Sequence, residues 1–180
     1  IIVVDYLKEN IKNSIGEKFY DLPITYVEQG LKKGTFGALS CTAHLFAKNE
    51  RFLSLNGDDL HAKEELEKFI KHPRAMGLQK IDMPGYKEAV LDENSNIVDL
   101  VAQSEISSRL VPTGAYVIDS NIFKHSGIQI SNNEYGLPQT ILDQKNKYPI
   151  KGIITKEWLP INSFEDMEKA EEYFNKFDLN

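Results

Sequence analysis

Residues 52–59, FLSLNGDD, begin as an apolar run and end in paired carboxylates. Asn56-Gly57 breaks the run, and Asp58 and Asp59 follow at once. A turn accounts for such a change, because Asn, Gly and Asp are the residues that turns use. A divalent cation accounts for it as well, since Mg2+ takes one or two carboxylates and completes its shell from substrate phosphates. At the carboxyl edge of a parallel sheet, an aspartate points into the crevice where α/β proteins bind ligands. On this stretch alone, Asp58 stays open between turn and metal ligand. Asp59 fits the start of the next helix, where Asp is a favoured cap.

Outward from this segment, apolar spacing predicts the remaining elements. Residues 1–4, IIVV, read as a buried strand. Leu7, Ile11 and Ile15 recur at helical spacing, and Gly16 is a helix stop. Residues 24–27 form a second strand, and 34–46 a helix with Leu39, Ala43 and Phe46 on one face. Residues 51–55 are the strand of the opening. Residues 63–72 are helical with Leu66, Phe69 and Ile70 inward. The order β, α, β, α, β, α predicts a layered α/β fold with a mostly parallel mixed sheet. Strands at 75–81, 89–91 and 97–101 then suggest an antiparallel excursion around the turn DENSN at 92–96. GAYVID at 114–119 returns to a buried strand, 137–144 reads as a helix and 150–155 as a late strand. Ser163 with Asp166 resembles a capping box, opening a helix with the stripe Met167, Ala170, Phe174 and Phe177. No repeat or linker interrupts the 180 residues, so one domain is expected.

Composition narrows the function classes. Hydrophobic content of 41% and charged content of 27% suit a globular protein with a core. No apolar run approaches the roughly 20 residues of a membrane span. Asp5, Lys8 and Glu9 follow the opening strand at once, so no secretory signal is expected and the cytoplasm is the default location. The single Cys41 excludes an internal disulfide and a cysteine-rich zinc site. A net charge of −6 argues against nucleic acid as a partner. It leaves room for a nucleotide, which backbone N–H groups and a metal can hold.

Further candidates carry local alternatives. GTFGAL at 34–39 places Gly34 and Thr35 at a helix start, where free backbone N–H groups suit an anion or simply a cap. Cys41 and His44 lie three apart on one helix, lack a third ligand and read as packing residues. Cys41 falls mid-helix, which disfavours a nucleophile. His61, His72 and His125 sit among charged residues and are expected to be solvated. In WLPINS, residues 158–163, Asn162 either caps the last helix or offers an oxygen to a metal.

Together the segments are more specific. The order of strand, helix, YVEQGLKKGTFGAL (26–39), FLSLNGDDL (52–60) and a charged helix resembles the nucleotidyltransferase superfamily that makes nucleotide sugars. That superfamily includes the nucleoside-triphosphate:sugar-1-phosphate transferases and phosphocholine cytidylyltransferases. GYKEAVLDENSNIVDLV (85–101) looks like the family's β-hairpin, PTGAYVIDSNIF (112–123) like its acceptor strand, and WLPINSFEDMEKAEEYF (158–174) like its ending. The resemblance implies a GT-A-like, Rossmann-like three-layer sandwich. It implies in-line attack by a phosphate monoester, such as a sugar 1-phosphate, on the α-phosphate of a nucleoside triphosphate, with pyrophosphate leaving and Mg2+ as cofactor. By position, Gln29 would meet the base, and Gly34 and Thr35 the nucleoside. Asp58 and Asn162 would hold the metal. Tyr86, Gln103, Thr113 and Gly114 would line the acceptor side. Self-association is compatible with the resemblance, and neither nucleic acid nor membrane is implied as a partner.

The chain also departs from the family pattern. The signature loop GxGxR, which holds the triphosphate, lies upstream of the strand that IIVV resembles, and an N-terminal segment carrying it is expected before Ile1. Gln103 stands where the family has a phosphate-binding lysine, and Lys87 where it has a glycine. These departures keep two alternatives in view: a non-catalytic nucleotide-binding relative, and a GT-A glycosyltransferase.

Overall fold

A computed structural model describes residues 1–81, 86–102 and 109–176 of the chain, with side chains through residue 172. Its first elements are β1 (Ile2–Val4), α1 (Lys8–Ile15), β2 (Lys18–Phe19), β3 (Leu22–Pro23), β4 (Tyr26–Glu28) and α2 (Gly34–Ser40). Next come β5 (Arg51–Leu55), β6 (Asp59–His61), α3 (Lys63–Phe69), β7 (Ala75–Lys80), β8 (Lys87–Leu91), β9 (Ile97–Ala102) and β10 (Leu110–Asp119). The chain continues through β11 (Ile128–Ser131), β12 (Glu134–Gly136), α4 (Leu137–Asp143), β13 (Lys151–Thr155), β14 (Trp158–Pro160) and α5 (Phe164–Lys176). It divides into two compact units, residues 1–50 with 120–143 and residues 51–119 with 144–180.

In the first unit β1 pairs in parallel with β4, matching Val3 to Val27. α2 buries Phe36, and α4 buries Leu137 and Ile141. Gly127 has no side chain, which leaves room for the Phe36 ring. The helix expected over 34–46 stops at Ser40 and resumes as a short 3-10 turn, Ala43–Leu45. The cause is local: the Ser40 and Thr42 hydroxyls donate to the carbonyls of Gly37 and Leu39, at 2.8 and 2.7 Å. Such back-bonds compete with the helical ladder. α1 forms as its spacing predicts and ends on Gly16 at φ 80°, yet it buries none of its residues. Leu7 and Ile15 remain exposed. Periodicity says where apolar side chains fall on a helix, not whether anything covers them.

The second unit holds a four-stranded sheet in the order β13-β7-β10-β5. β13 runs parallel to β7, while β10 runs antiparallel to both of its neighbours. The sheet is therefore mixed, and its parallel share is smaller than the early β-α alternation suggests. β8 and β9 pair antiparallel around the 92–96 turn, as expected. Phe69, Ala75, Ala115 and Val117 form a buried cluster, with Leu53, Leu66 and Ile153 packed on it. Gly77 makes this packing possible, since a Cβ there would lie 2.8 Å from the Phe69 ring. Ile70, expected inward, is exposed because α3 ends one residue before it.

α5 starts as its sequence predicts. Asp166 N–H donates to Ser163 Oγ at 3.2 Å, and Asp166 Oδ2 accepts from Ser163 Oγ at 2.9 Å. Ala170 is buried, but Met167 is half exposed, so the apolar stripe is only partly covered. Phe174 and Phe177 lie outside the described side chains.

Phe69 is fully buried at the centre of its cluster. Phe69→Ala is expected to cost about 3–5 kcal/mol, read as a lowered midpoint in urea unfolding.

Candidate functional site

In the second unit, β6 and β14 form a short antiparallel ribbon that matches Trp158 to His61 and Pro160 to Asp59. Ile161 N–H donates to the Asp58 carbonyl at 2.8 Å, extending the ladder by one pair. Residues 57–58 and 161–162, distant in sequence, are thereby one ladder step apart. Asp58 and Asn162 are both exposed, and no described residue hydrogen-bonds to either side chain. Asn162 does not cap α5; its backbone N–H donates to Asp166 Oδ2 at 3.1 Å, and Ser163 does the capping. The Asn162 side-chain oxygen is left to offer elsewhere.

Asp59 is not the start of a helix, which corrects the reading of it as a cap. It is the first residue of β6, and the residue before α3 is Ala62, which makes no side-chain cap. The Asp59 carboxylate turns inward instead. Its Oδ1 accepts from Trp158 Nε1 at 2.8 Å, and the Asn56 amide lies beside the carboxylate, both of them against Gly114. Burial pushes the Asp59 carboxyl up to about 6, the charge on Asp58 adds to that rise, and the donors from Trp158 and Asn56 oppose it. Gly114, at φ +74°, lies against this group, and a Cβ there would collide with Asp59 Oδ2 and Asn56 Nδ2. Asn56 N–H also donates to the Gly114 carbonyl at 3.0 Å. Tyr116 is buried nearby, and burial, then the charge on Asp59, holds its hydroxyl above its usual range.

Of the residues expected on the acceptor side, Thr113 and Gly114 lie in β10. Thr113 is fully buried, and its hydroxyl finds no partner among the described residues. The Tyr86 ring meets Trp158 edge-on at 6.4 Å between centroids. Gln103 lies outside the described residues. His61, expected in solvent, has both ring nitrogens buried and unpartnered among the described residues, and burial lowers its pKa. His125 is not free in solvent either: its Nε2 lies 2.8 Å from Asp143 Oδ2, and its Nδ1 accepts from Gly127 N–H at 3.0 Å.

Gln29, Gly34 and Thr35 belong to the first unit. Gln29 Nε2 donates to the carbonyls of Lys32 and Gly34, at 3.0 and 3.4 Å. These two bonds occupy the nitrogen and leave Oε1 as the acceptor end of the amide. The hairpin residues 133–135 clamp this loop. Lys33 N–H donates to the Asn133 carbonyl and Tyr135 N–H to the Lys33 carbonyl, both at 2.9 Å. Asn133 Nδ2 donates to the Leu31 carbonyl at 2.6 Å. Gly34 has φ +78°, and a Cβ there would lie 2.7 Å from the Tyr135 carbonyl oxygen, so the hairpin itself demands glycine. Thr35 Oγ1 does not cap its own helix; it accepts from Leu137 N–H at 2.9 Å. Cys41 closes α2 rather than sitting in its middle, and its sulfur accepts from Gly30 N–H at 3.2 Å.

No family model matches the chain. A curated relative, the bifunctional protein GlmU of Methanococcus maripaludis, is 27% identical over 129 residues. The match takes in 67% of this chain, and the chain spans 27% of that relative's length. Among solved structures, a protein assigned as a glucose-1-phosphate thymidylyltransferase from Bacillus anthracis superposes with a TM-score of 0.79 at 16% identity. That match covers 99% of this chain and 77% of the other. An inositol-1-phosphate CTP transferase from T. maritima gives 0.76 at 18% identity, covering 100% and 77%. A UDP-glucose pyrophosphorylase complexed with UDP-glucose gives 0.77 at 20% identity, covering 97% and 80%. The chain has the nucleotidyltransferase fold.

Within that fold the donor set can be tested against a divalent metal. No group of three or more His, Cys, Asp or Glu side chains that could hold an ion occurs among the described residues. A site made wholly of such side chains is thus not found there. Asp58 and Asn162 instead supply hard oxygen donors without competing partners, which fits Mg2+ completed by phosphates and water. Among the described residues, no helix is long and apolar enough to cross a membrane.

The raised Asp59 carboxyl makes a signed prediction. Its folded pKa of about 6 lies above the ordinary 3.8, so the folded state binds this proton more tightly than the unfolded state. The stability it contributes is full below the unfolded value and is lost as pH rises through the folded one. Asp59→Asn mimics the protonated form. Its melting temperature is expected to exceed the parent's at pH 7, with the gap closing towards pH 4.

Proposed function

We propose that this chain serves transfer of a nucleotidyl group from a nucleoside triphosphate to a sugar 1-phosphate or similar phosphate monoester, with release of pyrophosphate. The observation that supports the reading is the Ile161–Asp58 backbone bond, which sets Asp58 beside the residue preceding Asn162 at the end of the β6–β14 ribbon. Asp58 and Asn162 are the residues that would hold Mg2+. The ion, when bound, neutralises charge on the reacting phosphates. The remaining work is positioning, since phosphoryl chemistry of this kind asks for orientation and charge more than covalent help.

Gln29 reads the base. Its donor face is spent on Lys32 and Gly34, so Oε1 takes an N–H from the base edge. The ring N–H of uracil or thymine meets that requirement, whereas the ring nitrogen of cytosine at the same place is an acceptor. Gly34 and Thr35 fix the loop carrying Gln29, and Thr113, Gly114 and Tyr86 serve the acceptor side. Working locations and assemblies follow the same reading: a cytoplasmic enzyme acting on small phosphorylated substrates, with self-association allowed. The likeness in fold to enzymes acting on nucleotides and sugar or inositol phosphates supports this assignment.

The test is pyrophosphate release from a panel of nucleoside triphosphates with Mg2+ and sugar 1-phosphates. Asp58→Ala is expected to cut turnover about a hundredfold or more at unchanged melting temperature. Turnover that survives this change would overturn the reading, as would no release with any pair from a chain that carries the expected N-terminal loop. Gln29→Leu is expected to erase a preference for uridine over cytidine triphosphate, measured as the ratio of their kcat/KM values.

A further inference from the structure

Asp59 shares neither the exposure nor the freedom of Asp58. Its carboxylate is engaged by Trp158 and Asn56 and closed over by Gly114. The geometry of the ribbon explains how an indole reaches it. Trp158 pairs with His61, and Asp59 lies two residues before His61. Residues at such diagonal positions share one face of an antiparallel pair and come within reach of a long side chain. The indole N–H therefore stitches β14 to β6 on that face, one residue away from Asp58.

The stitch has structural work to do. β6 and β14 form a ribbon of their own, with three matched pairs. A two-stranded ribbon is marginal without further support. Its own ladder leaves the ends of the strands free to fray, and Asp58 and Asn162 lie at one such end. Trp158 is itself buried, with the Tyr86 ring against its edge. Asp59 is bound in turn to Asn56 at the end of β5 and packed on Gly114 in β10. One carboxylate thus links the ribbon to the four-stranded sheet.

We propose that Asp59 is a positioning residue for the metal pair: through Trp158 and Asn56 it holds residues 57–58 and 161–162 in the register that lets Asp58 and Asn162 share one cation. This rests on the reading of Asp58 and Asn162 as the cation's ligands. Asp59 is set apart from the exposed pair because it is partly buried and its Oδ1 accepts from Trp158. Groups that orient ligands in this way typically change metal affinity about 10–100-fold when removed.

The experiment is a Mn2+ titration of the full 180-residue chain, followed by paramagnetic broadening of the Asp58 and Asn162 amide signals in an NMR spectrum. Trp158→Phe keeps an aromatic ring, though a smaller one, and removes the N–H. Asp59→Leu keeps the branched shape and removes a buried charge, and the melting temperature of each variant is measured to show that it folds. Each is expected to raise the Mn2+ concentration for half-broadening by about tenfold or more. Ile150→Ala, a fully buried change elsewhere in the same unit, is the control. It is expected to lower the melting temperature and leave the titration unmoved. Unchanged titration in Asp59→Leu, or an equal loss in Ile150→Ala, overturns the positioning role. Asp58→Ala separates the two levels. If broadening persists in it, the metal reading falls and this proposal with it; if it is lost there but kept in Asp59→Leu, only the positioning role falls.

Discussion

Gly114 carries a constraint on which much of the second unit depends. It lies in β10, which is hydrogen-bonded to β7 on one side and β5 on the other. The β10–β7 register shifts between Pro112 and Tyr116, and Gly114 takes φ +74° within that shift. Only glycine adopts this backbone without strain. The same missing side chain opens the space that Asp59 and Asn56 fill. A single residue therefore lets the central strand change register and gives a carboxylate a place to be buried. A side chain there would set the sheet and the ribbon against each other.

Burying that carboxylate is not a stabilising act. Its pKa rises because desolvation exceeds what the Trp158 and Asn56 donors return. Tyr116, fully enclosed beside it, is pushed in the same direction. His61 adds two buried nitrogens without partners among the described residues. Local costs of this kind concentrate where a structure serves chemistry rather than stability. Asp59 and His61 both lie in β6, and Tyr116 lies in β10.

What could be read in the sequence was local. The strand at 51–55, the Gly16 stop and the Ser163–Asp166 cap depend on neighbours within a few residues, and all are present in the structure. Asp59 was illegible because its partner is Trp158, 99 residues away. A favoured cap residue and a buried strand carboxylate look the same until the pairing of β6 with β14 is known. Gly34 shows a second limit of local reading. A glycine at a helix start suggests an approaching ligand, but here the Tyr135 backbone occupies the space where a side chain would go. The α1 stripe was real as a pattern and empty as a guide to burial, since packing is a property of the neighbours. The nucleotidyltransferase fold was legible from the order of motifs, which survives low identity because spacing follows topology.

The clamp on residues 31–35 is made largely by main-chain groups. Lys33, Asn133 and Tyr135 contribute N–H and carbonyl groups, to which Asn133 adds its side-chain amide and Tyr135 its ring, under the Lys32 ammonium. Such a clamp tolerates spelling changes but not changes of length. Through evolution the exposed positions of the 128–134 hairpin other than Asn133 can drift widely, because the main-chain bonds do not depend on which side chains are present. Inserting or deleting one residue there would turn the donors of Tyr135 away from Lys33 and misalign the loop that carries Gln29. In lineages of this protein the hairpin should therefore vary freely in letters while its length stays fixed.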